Sequence, residues 1–411
     1  GPFRQVRNLP PHRWSKGLIM LLHEKADQAQ ALLQETGLDC WLTFVKETGI
    51  RPDPGVDLVV GTDVTWISAF LFAKGGRRIA IVGRFDVANI KALGVFSEVL
   101  GYDESIRQPL VAALKRLDPQ QIGLNYSTDN PTADGLTHGM WLTLNELLRD
   151  TPYASRLTSA APLLAKLRGR KSPTEVARMR GAIKNTEAIV DLVAKQIRPG
   201  VSETELADFV HEQFRGRGLA SAWEWESCPI VNIGPGSEAG HGKPQANIRL
   251  EPGQLVHIDL GVKQEGYCSD LQRMWYVRQA GESQPPESVR RAFATVLQAI
   301  EAGAAMLKPG VRGHQVDAAA RKVVVDAGYP EFKHGLGHGL GRAVHDGGTM
   351  LGPRWEKYGK TPEGIVEPGN VFTLELGVPT DAGYIGLEED VLVTEQGCSF
   401  LSSFQRELML I

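Results

Sequence analysis

The segment EPGQLVHIDLGV (251–262) returns later in the chain as EPGNVFTLELGV (367–378), with six of twelve positions identical. A second echo lies upstream of each copy: IRPGVSETELADFVHEQFRGRG (197–218) and LKPGVRGHQVDAAARKVVVDAG (307–328) both set Pro-Gly-Val between two helical patterns. The spacing is too long for a solenoid repeat. It predicts instead a duplicated α+β domain whose halves are related by a pseudo-twofold axis. In each copy one acid interrupts an apolar, strand-like run at the same place, Asp259 in the first and Glu375 in the second. A buried carboxylate without a partner is expensive, so this repetition calls for a physical reason.

Hairpin geometry supplies one. Residues directly opposite each other in an antiparallel pair share a face, with Cβ atoms about 4.5–5.5 Å apart. Asp270 follows Asp259 across the turn-like KQEG, and the two acids are symmetric about Gln264-Glu265. Glu375 and Glu388 are likewise symmetric about Asp381-Ala382, inside PTDAG. The expectation is two hairpins, each with two facing acids. Four carboxylates gathered by a pseudo-twofold repel one another unless a cation neutralises them. Such a set suits two divalent ions about 3.5–4 Å apart rather than one. Mn, Co, Zn and Fe all accept a carboxylate-rich site with histidine.

Between the hairpins runs HGLGHGLGRAVHDGG (334–348), with glycine at 335, 337, 339 and 341. That much glycine rules out a stable helix, so His334 and His338 are not a helical i,i+4 zinc pair. An extended backbone making a close approach is expected. Spacing alone leaves His334, His338 and His345 open as ligands. His241, in GPGSEAGHGKP, sits in a glycine-rich loop and by its surroundings reads as a surface residue. His12, His23 and His138 have no motif around them and read as structural or solvated.

The region from about Lys16 to Tyr153 alternates helical patterns (17–36, 105–117) with short strand-like runs, CWLTF, TWISAFLF, RRIAIVGRF and QIGLNY, which argues an α/β domain. Ser172, Pro173 and Glu175 then form a helix start with a capping box. We expect an N-terminal α/β domain over 1–160 and the duplicated domain over 161–411. A formal net charge of −3 and the lack of any long Lys/Arg run argue against nucleic acid or an anionic membrane as partner. The four cysteines form no C-x-x-C pair, and no apolar run approaches the roughly 18 residues of a membrane span. A soluble, cytoplasmic chain is expected.

In HIDLGV, GYCSD, GHGLG, TLELGV and GLEEDVLVTEQG, nearly the whole chain resembles the M24 pita-bread metallopeptidases. This family includes methionine aminopeptidase, aminopeptidase P and prolidase. The layout is similar to the proline-specific branch, an α/β N-terminal domain followed by an α+β pita-bread (creatinase/aminopeptidase) domain. The resemblance implies that Asp259, Asp270, His338, Glu375 and Glu388 hold two divalent metal ions. Counting back from VLVTEQG selects Glu388 over its neighbour Glu389. The resemblance further implies that His345 and His241 contact substrate, that Glu375 shuttles a proton, and that the chain works as a homodimer on short peptides. In relatives the N-terminal domain, often from a neighbouring subunit, limits substrate length. Trp66, Arg51 and Asp53 are candidates for that lining here.

Three departures stand out. Gly386 occupies a position usually held by Arg, Gln272 one usually held by Thr, and Asp346-Gly347-Gly348 replaces an acid followed by a proline-containing turn. Arg342 or Arg354 could replace the missing arginine. The expected activity is metal-dependent hydrolysis of Xaa-Pro bonds in dipeptides or short peptides. Two alternatives are a metal-dependent hydrolase of non-peptide substrates, and a metal-free pita-bread binding or creatinase-like protein, against which the five intact ligands argue.

Overall fold

Residues 15–237, 240 and 242–411 are described by the computed structural model, in which the chain divides into two units between Leu167 and Arg168. The division falls inside a helix, Ala161–Gly169.

In the first unit the described residues form a six-stranded sheet. Its strands are β1 (Cys40–Val45), β2 (Ser68–Ala73), β3 (Arg77–Gly83), β4 (Glu98–Tyr102), β5 (Ile122–Leu124) and β6 (Leu157–Ser159), in the order β4-β3-β2-β1-β5-β6. The β1–β2 and β2–β3 pairs are antiparallel and the rest parallel. β1 and β2 are buried along their whole length. Helices α1 (Lys16–Glu35) and α2 (Val87–Leu93) pack Leu22, Leu33 and Ile90 against Trp41, Phe70 and Phe72 on one face. Helices α3 (Arg107–Leu117) and α4 (His138–Leu148) pack Leu114 and Leu144 against Leu42, Leu71 and Ile79 on the other. A sheet covered on both faces reads as continuous apolar runs rather than as alternation.

In the second unit, α5 being the helix at the division, α6 (Pro173–Ala194) starts at the expected capping box. Ser172 Oγ accepts the Glu175 N–H at 3.3 Å, and the Glu175 carboxylate accepts the Ser172 N–H at 2.8 Å. α7 (Glu203–Arg217) opens on a second box, Ser202 with Glu205. Strands β7 (Ala220–Ser221), β10 (Val262–Gln264) and β11 (Tyr267–Cys268) make a small sheet. The main sheet runs β13 (Val371–Thr380), β14 (Gly383–Val393), β12 (Leu271–Tyr276), β9 (Leu255–Leu260), β8 (Ile230–Ile233), with β15 (Cys398–Phe400) on β14 and β16 (Met409–Leu410) on β12.

This order carries the duplication. The second strands of the two hairpins, β12 and β14, lie side by side, and the first strands, β9 and β13, flank them. α7 packs Leu206, Val210 and Phe214 on Val256, Ile258 and Leu260 of β9. Together with α8 (Glu287–Met306), α9 (Gly313–Asp326) packs Val316, Ala320 and Val324 on the equivalent Phe372, Leu374 and Leu376 of β13. The helices thus cover one face of the sheet. Because strand side chains alternate, Asp259 and Glu375 fall on the other.

One expected register is corrected. Asp259 pairs with Gln272, not Asp270, because the hairpin turns at Glu265-Gly266, both with positive φ (48° and 83°), rather than at Gln264-Glu265. The shift is two residues, so it leaves Asp270 on the same face, diagonal to Asp259. The second hairpin pairs Glu375 with Glu388 as expected. No described helix is long and apolar enough to cross a membrane.

Replacing Ser172 with Ala removes the N-cap acceptor of α6. The expected cost is about 1 kcal/mol, which lowers the melting temperature of this unit by roughly 2–4 °C in a calorimetric scan.

Candidate metal centre

The main sheet lines up one row of polar side chains across four strands: Glu375 pairs with Glu388, Glu388 with Gln272, and Gln272 with Asp259. Asp270 stands just before β12, and its backbone N–H is held by Asp390 Oδ2 at 3.2 Å. Glu389 belongs to the opposite face, where it pairs with Arg273 at 3.0 Å and accepts the Gln405 N–H at 2.9 Å.

His338 reaches this row from the glycine-rich segment, which runs along β13. The Thr373 N–H donates to His338 O at 3.0 Å, the Leu340 N–H to Val371 O at 3.0 Å and the Glu375 N–H to Leu336 O at 2.6 Å. The approach is so close that a Cβ at Gly337 would lie 1.9 Å from the Thr373 carbonyl oxygen. The His338 Nδ1–H donates to Gly339 O at 3.3 Å, which leaves the Nε2 lone pair aimed at the acids. Nε2 lies 3.7 Å from Asp270 Oδ2, 3.7 Å from Glu375 Oε1 and 3.9 Å from Glu388 Oε1.

These distances are too long for hydrogen bonds but suit atoms that share a cation, roughly 3–4 Å apart for ligand bonds of about 2.1 Å. Atoms of Asp270, His338 and Glu388 all lie within 4.8 Å of one another. Asp259 Oδ1, Asp270 Oδ1 and Glu388 Oε1 are buried without a hydrogen-bond partner. Buried acceptors left unpaired around a neutral imidazole form a donor set that fits divalent ions.

The electrostatics agree. Burial pushes Asp259 up to about 7 and, with the charge of Asp259 added, Glu375 up to about 8. Burial and the neighbouring carboxylates hold Asp270 and Glu388 well above the usual carboxylate range. Burial pushes His338 down to about 3 and His257 to about 4, so both rings are neutral.

The remaining candidates fall in different places. His345 is exposed, its ring 4.3 Å from that of His338 and edge-on to it. His241 lies outside the described residues. His334 donates to Gly335 O at 2.7 Å and packs against Phe332, away from the row. Asp346, beside His345, is anchored by Arg168 and, at 3.2 Å, by Lys171. Burial opposes its charge, but the two cations outweigh burial and hold its carboxyl below the usual range. Neither arginine proposed to replace the missing one is free. Arg342 Nε donates to Tyr267 OH at 3.2 Å, and Arg354 is engaged by Glu363 and, at 2.8 Å, by His314. In the first unit Asp53 is a buried group that accepts from Asn125 at 2.8 Å and from the Gly55 N–H at 2.7 Å. Trp66 is half-buried against Phe85 and Tyr102, and Arg51 is exposed. Two supports went unnoticed in the sequence: Asp390, which an acidic run disguises, and His257, inside the apolar HIDLGV.

The model for metallopeptidase family M24 matches residues 177–395. The chain is 26% identical over 394 residues to the uncharacterized peptidase YqhT of Bacillus subtilis, spanning 94% of this chain and 100% of that protein. Among solved structures it is similar to an Xaa-Pro dipeptidase from Bacillus anthracis, with a TM-score of 0.72, 26% identity, and coverage of 95% and 100% of the two chains. The prolidase from Pyrococcus horikoshii OT3 shares the fold with a TM-score of 0.66 at 24% identity, covering 94% of this chain and 100% of that one.

The raised acids set a pH dependence for metal-free protein. Folded Asp259 and Glu375 keep protons that the unfolded chain has released, so stability falls as pH rises through about 7 and 8. The depressed histidines work the other way, but only below their unfolded value of 6.5. The melting temperature of the metal-stripped chain should therefore fall between pH 6.5 and 8, and added Mn²⁺ should raise it most at pH 8. A flat profile would remove the buried-acid account.

Proposed function

The chain belongs to metallopeptidase family M24, and on that premise we propose that it is a dinuclear metal-dependent peptidase that cleaves Xaa-Pro bonds in dipeptides or short peptides. The observation that carries this reading is the carboxylate row closed by the His338 lone pair. Asp259, Asp270, His338, Glu375 and Glu388 would hold the two divalent ions. When bound, the ions supply a nucleophile from water near neutral pH and polarise the scissile carbonyl.

The chain's own groups do the rest. Glu375 retains 22% side-chain exposure where Glu388 retains 2%, so it is the acid of that pair that can meet substrate. It accepts a proton and delivers it to the leaving nitrogen. His345, exposed beside His338, donates to the carbonyl oxygen as negative charge develops there, and His241 is assigned the same kind of contact. A prolyl nitrogen has no N–H, so this scheme needs none from the substrate at that position. The Xaa-Pro preference is supported by similarity to the dipeptidase from Bacillus anthracis. Short peptides are the proposed substrates, and a homodimer the proposed assembly.

A second reading is a hydrolase of non-peptide substrates. It is favoured by Gly386, which carries no side chain where relatives use arginine, and by the engagement of Arg342 and Arg354 elsewhere.

Metal-stripped protein offered Ala-Pro, Met-Pro, Ala-Ala and a Gly-Pro-containing tripeptide, with and without Mn²⁺ or Co²⁺, separates these readings. We expect metal-restored cleavage of the proline peptides and none of Ala-Ala. Cleavage of dipeptides alone indicates a prolidase, and of the tripeptide alone an aminopeptidase P. No cleavage by protein that has bound two ions sinks the peptidase reading. Glu375→Gln should lower kcat on the cleaved peptide by roughly 10²–10⁴-fold.

A further inference from the structure

Gln272 stands in the carboxylate row without being a carboxylate. Its Nε2 donates to Glu388 Oε2 at 2.9 Å and to Glu375 Oε2 at 3.2 Å, so one amide spans two strands. The other oxygen of each glutamate, Oε1, is the one that faces His338 Nε2, at 3.9 and 3.7 Å. With ions bound both glutamates are carboxylates, which only accept, so the Gln272 NH₂ then faces them and its carbonyl faces away. That carbonyl oxygen lies 2.9 Å from His257 Nε2, and His257 Nδ1 meets the Asn232 side-chain amide at 2.9 Å. Gln272, His257 and Asn232 are 6%, 4% and 5% exposed, so water does not compete for these bonds.

Gly386 makes this arrangement possible. A Cβ there would lie 2.7 Å from Gln272 Oε1, 2.7 Å from the Tyr384 ring and 3.0 Å from His257 Nε2. The position has no room for any side chain, because the Gln272 amide and the edge-on His257–Tyr384 pair, 5.3 Å between centroids, fill it. The Gln272 amide and the bare backbone at 386 therefore depend on each other. A threonine hydroxyl carries a single hydrogen and could not donate to both glutamates at once.

We propose that Gln272 is a positioning residue that clamps one oxygen of Glu375 and one of Glu388, thereby presenting the other oxygen of each to the metal centre, in space that Gly386 leaves open. The inference rests on the reading of these glutamates as metal ligands. A neutral double donor suits the task, since it offsets the repulsion between facing carboxylates without placing a competing cation in the row.

Calorimetric titration of Mn²⁺ into the metal-stripped full chain tests it. Gln272→Met keeps the length and removes both donors. It should weaken Mn²⁺ binding roughly 10- to 100-fold, the usual effect of losing a group that orients a ligand. Gly386→Ala reads the same contact from the other side should Gln272→Met misfold, and should also weaken binding by displacing the amide. Affinity within threefold of wild type in Gln272→Met overturns the clamp alone. A wild-type chain that takes up no Mn²⁺ overturns the metal-centre reading first, and the clamp with it.

Discussion

Burying several carboxylates on one face of one sheet is the constraint that organises this unit. Each loses hydration, and each raises the cost of ionising its neighbours. Strand alternation forbids the simplest remedy. Arg273 follows Gln272 directly, so its guanidinium falls on the opposite face, where it is spent on Glu389 and on the carbonyl of Glu388. The row is left acidic by construction, with an amide at its centre and an imidazole lone pair above it. That is a poor arrangement for an empty protein interior and a good one for divalent cations.

The surrounding structure is arranged to hold this costly row in place. Asp390 ties the backbone of Asp270, and the glycine segment is laced to β13 on both sides of His338. Asp346 is fixed between two buried cations and receives the Ala343 N–H at 3.2 Å, which sets the turn carrying His345. None of these contacts involves a group that would itself react. Their common effect is to deny the acids the movement by which they would otherwise separate.

Much of this was legible in the sequence because duplication tests itself. An acid at the same place in two copies of one motif is hard to read as an exposed strand residue, and the sheet order with β12 beside β14 follows from the same repeat. The Glu375–Glu388 pairing could be counted from PTDAG. The first hairpin could not be counted as safely, since KQEG admits two turn positions and only the positive φ of Glu265 and Gly266 distinguishes them. In the first unit the apolar strands were visible, whereas α2, α4, β4 and β6 were not, since their patterns are short or only half-buried. The burial of Asp53 was not legible because its partner, Asn125, is distant in sequence. For the same reason Gln272 and Gly386 read as two separate departures, although in space they adjoin.

The duplication is also broken in one respect that bears on chemistry. Asp259 and Glu375 hold the same place in the two copies, and both are less buried than Asp270 and Glu388. Only the second copy, however, carries the His338 segment along its outer strand, so of these two acids Glu375 is the one that lies beside His338 and, through it, beside exposed His345. In the proposed reaction this asymmetry selects Glu375 over Asp259 for proton transfer. Of the two, it alone joins partial exposure to a neighbouring imidazole on the open side of the row.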